Sequence, residues 1–213
     1  MIEDWEERLR SRAERADFQP HCDRFYFLRH GQTDHNRKRI CQGHTDVPLN
    51  STGLSQADKA ASALLGKARP IAITMSDLIR VRQTAKPVVE ALALEPKIDA
   101  RLRERAFGVF EDQPIEGHLW SFDHPSVESI EAFVDRSLEG FKAALTENDA
   151  LVVTHGGLRR VLAGALKLDM PYWSGHNAIP LRFTKEASGW RAEALTEAGT
   201  WPIDGPEPSD LDR

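Results

Sequence analysis

The sequence predicts an α/β protein, a three-layer sandwich with a mostly parallel central sheet and helices on both faces. Short apolar runs alternate with longer amphipathic stretches along the chain, which is typical of strands connected by helices. The runs are apolar throughout, as expected for buried strands. They cover residues 25–28, 71–74 and 151–154, with a closing pair of strands predicted over 181–184 and 190–195.

Helices are expected between these strands, over residues 52–65, 76–94, 127–145 and 158–168. Gly66 is a candidate C-terminal stop for the first of them. Ser76 is a candidate N-cap for the second, in which Pro87 must produce a kink or a break.

With 213 residues, the chain is long enough for one domain with a substantial core. We predict a histidine-bearing α/β domain over 24–197 and a flexible tail over 198–213, which is rich in Pro, Gly and Asp. Residues 1–23 form a predicted helical extension with an apolar stripe. The stripe either lies on its own domain or forms a homodimer contact; its members are Ile2, Trp5, Leu9, Ala13 and Ala16.

Composition excludes several classes of protein. A net charge of -5 argues against a general binder of nucleic acid or anionic membranes, because such surfaces need a basic face. No apolar stretch reaches the roughly 18 residues of a membrane span, and no secretory signal is evident. Cys22 and Cys41 lack metal-ligand spacing, so we expect no metal site. A cytoplasmic protein is predicted.

Two predicted strands end in a histidine that is followed by glycine. His30 lies between Arg29 and Gly31, and His155 precedes two glycines and a predicted helix. In parallel sheets, ligands bind beyond the carboxyl ends of the strands. Glycine allows close approach of the backbone, arginine offers a donor fork to phosphate, and a helix N-terminus favours an anion. A neutral imidazole in such a place is a competent nucleophile towards phosphorus.

Five blocks of sequence together resemble the histidine phosphatase superfamily, also called the phosphoglycerate mutase-like family. The blocks occur in the family's order and the resemblance spans residues 25 to about 184. They cover residues 28–36, 42–57, 76–85, 102–108 and 153–157. Asp77 departs from the family pattern, which often has Pro there, and Asp112 stands where Gly is common.

The resemblance implies a covalent mechanism on phosphate monoesters of small molecules, with no metal ion and no other cofactor. His30 would be the nucleophile, His155 a transition-state donor and Glu104 the general acid. The phosphate-binding residues would be Arg29, Arg80, Thr33 and Asn36. Glu111 competes with Glu104 for the acid role, but its position after Gly108 disfavours it. Asp77 would bring negative charge near Arg80 if its side chain faced the site.

Two other functions are alternatives to a phosphatase. A phosphoglycerate mutase would share every catalytic residue, but residues 108–132 contain no Lys or Arg to grip a second acidic group. A non-catalytic binding module for phosphorylated ligands would be expected to lack a catalytic residue, and none is missing. Aromatic and histidine side chains outside the blocks are candidates either for a substrate cap or for core anchors: His118, Trp120, Phe122, His124, Tyr172, Trp173 and His176.

Overall fold

A computed structural model describes residues 5–117, 119–122, 124–170 and 176–196. Ile2, His118, Tyr172, Trp173 and the predicted tail over 198–213 lie outside these residues. The domain boundaries at 24 and 197 stay a prediction.

The predicted three-layer α/β fold is confirmed. The strands are β1 Arg24–Arg29, β2 Ala72–Met75, β3 Lys97–Ile98, β4 Ala150–Thr154, β5 Pro180–Glu186 and β6 Gly189–Ala194. They form one six-stranded sheet in the order β3-β2-β4-β1-β5-β6. Neighbouring strands from β3 to β1 pair in parallel, whereas β5 pairs antiparallel with β1 and β6 pairs antiparallel with β5.

Helices cover both faces of the sheet because successive residues of the central strands point to opposite sides. The helices are α1 Trp5–Arg15, α2 Asp34–Lys38, α3 Ser51–Lys67, α4 Ile79–Leu92, α5 Ile130–Ala144 and α6 Gly156–Ala165. On β1, Phe25 and Phe27 join the core beneath α1, α5 and α6, whereas Tyr26 and Leu28 join the core beneath α3 and α4. Short 3₁₀ helices cover Ala100–Leu102, Gly108–Phe110 and Leu119–Ser121.

Two local predictions about helix ends were wrong. Gly66 does not stop α3, which continues to Lys67. Ser76 does not cap α4: Leu78 is the N-cap residue and makes no side-chain capping bond. Pro87 lies inside a helix that continues to Leu92, so it does not break α4, and a kink there stays a prediction.

The N-terminal helix α1 packs on its own chain. Trp5, Leu9 and Ala13 are buried in the core shared with α5 and α6, while Ala16 is exposed. Arg12 also donates to Asp135 of α5 at 2.8 Å. The apolar stripe is therefore covered by the helices beside it, as in the first of the two interpretations.

Replacing Leu9 tests this packing. Leu9 is 2 % exposed, so Leu9→Ala should lower the free energy of unfolding by about 2–5 kcal/mol, through lost burial and a cavity. Leu54→Ala is the control, because Leu54 is 46 % exposed and should change stability by less than about 0.5 kcal/mol. Urea unfolding measures both. Equal effects of the two substitutions would contradict the placement of α1.

Candidate active site

The carboxyl ends of β1 and β4 bring the two predicted histidines together. Arg29 is paired with Thr154 in the parallel register, and the backbone NH of His30 donates to the Thr154 carbonyl at 2.9 Å. The next residue on each strand is a histidine. Their rings lie edge to face with centroids 5.2 Å apart. The strand-end prediction for His30 and His155 therefore corresponds to one shared site.

His30 is held in a form suited to nucleophilic attack. Its Nδ1 lies 2.8 Å from the Gly31 carbonyl oxygen, which can only accept, so Nδ1 carries the proton and Nε2 keeps its lone pair. The ring is buried. Burial, with the positive charges of Arg80 and Arg29, holds the pKa of His30 well below its ordinary value. The imidazole therefore stays neutral at neutral pH.

His155 is also fully buried, and its Nε2 lies 3.1 Å from the Ser76 hydroxyl. Burial and the charge of Arg80 lower its pKa. Its Nδ1 has no hydrogen-bond partner in the described ranges. Ser76 was predicted as a helix cap; instead it is a partner of the second histidine.

Arg80 is a buried cation that makes no ion pair with a carboxylate in the described part of the chain. Its Nη1 and Nη2 donate to the carbonyls of Thr45 and Gly43, both at 2.8 Å. Burial lowers the pKa of Arg80 to about 10, which leaves it protonated at neutral pH. Its Nε has no hydrogen-bond partner among the residues described. Unsatisfied buried donors of this kind favour an anionic ligand.

Glu111 holds the loop that binds Arg80. Its Oε1 accepts from the backbone NH groups of His44 and Phe107 at 3.0 and 2.9 Å, and its Oε2 accepts from the Thr45 hydroxyl at 3.2 Å. A carboxylate with three such bonds anchors a loop, which supports the prediction that Glu111 is not the acid.

Two departures from the family pattern are explained by geometry. Asp77 accepts a hydrogen bond from Arg103 Nε at 2.8 Å, so its charge is paired away from Arg80. Asp112 has a φ of 63°, the left-handed conformation that Gly adopts freely and Asp tolerates.

Glu104 reaches the N-terminus of α6. Its Oε2 accepts from the backbone NH of Gly157 and its Oε1 from the NH of Arg105, both at 2.9 Å. A Cβ on residue 157 would lie 2.1 Å from Glu104 Oε1, so only glycine permits this approach. The loop carrying Glu104 is itself held by Arg136, which donates to the Arg103 carbonyl at 2.9 Å.

The remaining predicted phosphate ligands lie around His30. The Arg29 guanidinium lies beside the start of α6, since a Cβ on Gly156 would be 3.2 Å from its Cζ. Thr33 and Asn36 form a capping box at α2: the Thr33 hydroxyl accepts from the Asn36 NH, and Asn36 Oδ1 accepts from the Thr33 NH. Direct contact of these two side chains with phosphate stays a prediction.

Several residues that support the site were missed from the sequence. Thr84 accepts from the Gly31 NH at 2.9 Å and donates to the Arg80 carbonyl at 2.7 Å, linking the two blocks. Asn177 donates to the His30 carbonyl at 2.8 Å. Thr84 lies one helical turn after Arg80, and this spacing could have indicated that the two side chains lie on the same face of the helix. Nothing in the sequence around Asn177 indicated its contact with His30.

Among the aromatic candidates, Trp120 is buried in the core and Phe122 stacks on Phe110 with centroids 4.3 Å apart. Within the described residues there is no group of three or more His, Cys, Asp or Glu side chains arranged to hold a metal ion. No helix in the same residues is long and apolar enough to cross a membrane.

These features define an α/β protein with a histidine-centred anion site: two buried neutral imidazoles and a buried guanidinium at the carboxyl edge of a parallel sheet. The chain belongs to the histidine phosphatase superfamily, whose branch 1 family model matches residues 25–196.

Several known proteins are similar to it. Agropine synthesis reductase of Rhizobium rhizogenes is 34% identical over 180 residues, which are 79% of this chain but 41% of that protein. The chain thus spans about two fifths of the length of that relative. Glucosyl-3-phosphoglycerate phosphatase of Mycobacterium tuberculosis is 32% identical over 196 residues, covering 85% of this chain and 80% of that one. A structure of the mycobacterial glucosyl-3-phosphoglycerate phosphatase with VO3 matches with a TM-score of 0.61 and 28% identity, over 81% of this chain and 98% of that one.

Substitution of Gly157 tests the close approach of Glu104. Gly157→Ala should lower the free energy of unfolding by about 1–3 kcal/mol, because the added methyl group overlaps Glu104 and Trp120. Gly66→Ala is the matched control, because nothing lies within 4 Å of its Cβ position. Alanine favours the helix over glycine, so the free energy of unfolding should rise by up to about 1 kcal/mol. Thermal or urea unfolding distinguishes the two. A stable Gly157→Ala would show that this contact is not tight.

Proposed function

We propose that this chain is a metal-independent phosphatase that hydrolyses phosphate monoesters of small molecules through a phosphohistidine on His30. One observation carries the proposal. The Nδ1 proton of His30 is committed to the Gly31 carbonyl, which leaves Nε2 as a neutral nucleophile beside the buried guanidinium of Arg80. A phosphoryl group is the electrophile that such a cationic pocket would receive.

In the first step, the Nε2 lone pair of His30 attacks phosphorus and the bond to the ester oxygen breaks. Arg29, Arg80 and His155 stabilise charge on the non-bridging oxygens, a contribution of several kcal/mol in comparable sites. Arg80 is suited to this because its hydrogen-bond partners are neutral carbonyls. The buried Nδ1 of His155 and Nε of Arg80 are candidate donors to those oxygens. Thr33 and Asn36 are proposed as further neutral contacts.

Glu104 is the proposed general acid. Each of its oxygens accepts one backbone hydrogen bond and keeps a second lone-pair position for a proton. As the ester bond breaks, the protonated carboxyl gives its proton to the leaving alkoxide. In the second step, the carboxylate takes a proton from water, the resulting hydroxide attacks phosphorus, and the phosphorus–nitrogen bond breaks to release phosphate and neutral His30.

Hydrolysis is favoured over mutase chemistry by the segment that follows Glu104. Two pairs of rings pack together there, Phe110 against Phe122 and Phe107 against Trp120, and residues 108–132 bring no Lys or Arg. A second acidic group on the substrate would find little charge compensation there. The presence of His30, Arg80, Glu104 and His155 in one site also disfavours a non-catalytic binding module. Cytoplasmic location and a homodimer stay predictions.

The covalent step can be trapped. Mixing with a phosphate monoester and quenching in base should yield an acid-labile phosphoenzyme, which His30→Ala abolishes. His21→Ala is the control, since this exposed histidine precedes β1 at the opposite end of the strand and should leave the yield unchanged. A full yield of phosphoenzyme from His30→Ala would rule out His30 as the nucleophile.

The acid role of Glu104 can be separated from the nucleophile by varying the leaving group. A sugar alkoxide departs poorly without a proton, whereas nitrophenolate leaves unaided. Glu104→Gln should therefore lower kcat/KM for a sugar phosphate by about 10²–10⁴-fold more than it lowers kcat/KM for nitrophenyl phosphate.

Glu111→Gln is the matched carboxylate control. It should slow both substrates alike, because Glu111 holds the loop that binds Arg80. Steady-state kinetics on the two substrates measure this. Selective loss in the Glu111 variant, or equal loss in the Glu104 variant, would reverse the assignment.

A further inference from the structure

The N-terminal helix α1 precedes the residues that the family model matches, yet its first described residue reaches the neighbourhood of the site. The model matches residues 25–196, and α1 covers Trp5–Arg15. The Trp5 ring stacks on the Trp120 ring with centroids 5.3 Å apart and planes at 20°. The guanidinium of Arg160, a residue of α6, lies 5.2 Å from the centre of the Trp5 ring. Trp5 is thus fixed against two elements of the site.

Trp120 is a neighbour of the proposed acid. A Cβ built on Gly157 would lie 2.7 Å from Trp120 Cη2 and 2.1 Å from Glu104 Oε1, so the ring and the carboxylate occupy the same small space beside Gly157. The backbone carbonyl of Trp120 also accepts from Arg105 Nη1 at 2.8 Å, and Arg105 follows Glu104 in sequence. The position of Trp120 therefore limits where the Glu104 carboxylate can lie.

The same helix braces the element that donates to Glu104. The Cβ of Ala13 lies 3.1 Å from the Cβ position of Gly164 on α6, so the two helices are in close contact. The N-terminus of α6 supplies the Gly157 NH that binds Glu104 Oε2. Helix α1 thus contacts both the ring beside the carboxylate and the helix that donates to it.

We propose that Trp5 is a positioning residue for the general acid: by stacking on Trp120, it holds the Glu104 carboxylate where it can protonate the leaving alkoxide. The inference rests on the proposed phosphatase function and deepens it. It gives the N-terminal helix an effect on catalysis that acts through Glu104, both when the acid protonates the leaving alkoxide and when the carboxylate takes a proton from water. Formation of phosphohistidine from a substrate that needs no acid should not depend on Trp5.

The experiment compares Trp5→Ala, Trp5→Phe and Phe18→Ala on two substrates, glucose 6-phosphate and 4-nitrophenyl phosphate. Phe18 is the matched control: it is as buried as Trp5, precedes the matched region, and packs on Phe141 of α5. Trp5→Ala should lower kcat/KM for the sugar phosphate by about tenfold, because misplacement of a catalytic group by about 1 Å already has large effects. Its kcat/KM for nitrophenyl phosphate, which reports formation of phosphohistidine without help from an acid, should stay within about twofold.

Two further results separate positioning from general destabilisation. Trp5→Phe, which keeps a stacking ring, should restore most of the sugar phosphate activity. Phe18→Ala should lower Tm without changing the ratio of the two kcat/KM values. The kcat/KM for nitrophenyl phosphate reports the folded, active fraction in every variant. If Trp5→Ala does not fold, Trp5→Leu fills much of the space without a ring plane and should show the same selective loss.

The inference is overturned if the Trp5 variants slow both substrates equally or neither, or if Phe18→Ala produces the same selectivity. Failure of the proposed function gives a different result, since the wild-type protein would then hydrolyse neither substrate.

Discussion

Parallel pairing between β1 and β4 brings the backbone NH of His30 to the Thr154 carbonyl, and the rest of the site is arranged around the two imidazoles that this pairing places side by side. Both strands are central in the sheet and buried on both faces, so their ends are rigid. A rigid edge matters because a nucleophile and a transition-state donor must keep their separation while bonds to phosphorus form and break.

Electrostatics follow from this placement. Burial of the two imidazoles disfavours their protonation, and the charge of Arg80 disfavours it further, so the histidines stay neutral. Arg80 donates to neutral carbonyls, and nearby carboxylates, Glu104 first, favour its charged form. In the described part of the chain, Arg80 Nε and His155 Nδ1 are buried donors without a partner, and an anion with several oxygens would satisfy them.

The supporting contacts form a hierarchy around this centre. Glu111 accepts hydrogen bonds from the loop whose carbonyls bind Arg80. Thr84 donates to the Arg80 carbonyl and accepts from the backbone NH of Gly31. Glu104 depends on a different set of contacts, the N-terminus of α6 and the ring of Trp120. The Arg80 guanidinium and the Glu104 carboxylate are therefore held by different contacts, while His44 Nε2, 2.9 Å from the Glu104 carbonyl oxygen, joins the two loops.

The sequence by itself determined the alternation of strands and helices, and it indicated that His30 and His155 would meet, because strand burial and strand ends are local patterns. The resemblance to the family, rather than any local pattern, favoured Glu104 over Glu111. Only the tertiary structure decided that Ser76 faces His155, since these residues lie 79 positions apart and a serine before a helix is also a plausible cap. It alone placed the apolar stripe of α1, because one amphipathic face does not specify what covers it. The stacking of Trp5 on Trp120 depends on how two distant segments fold over α6, which no spacing in the chain encodes.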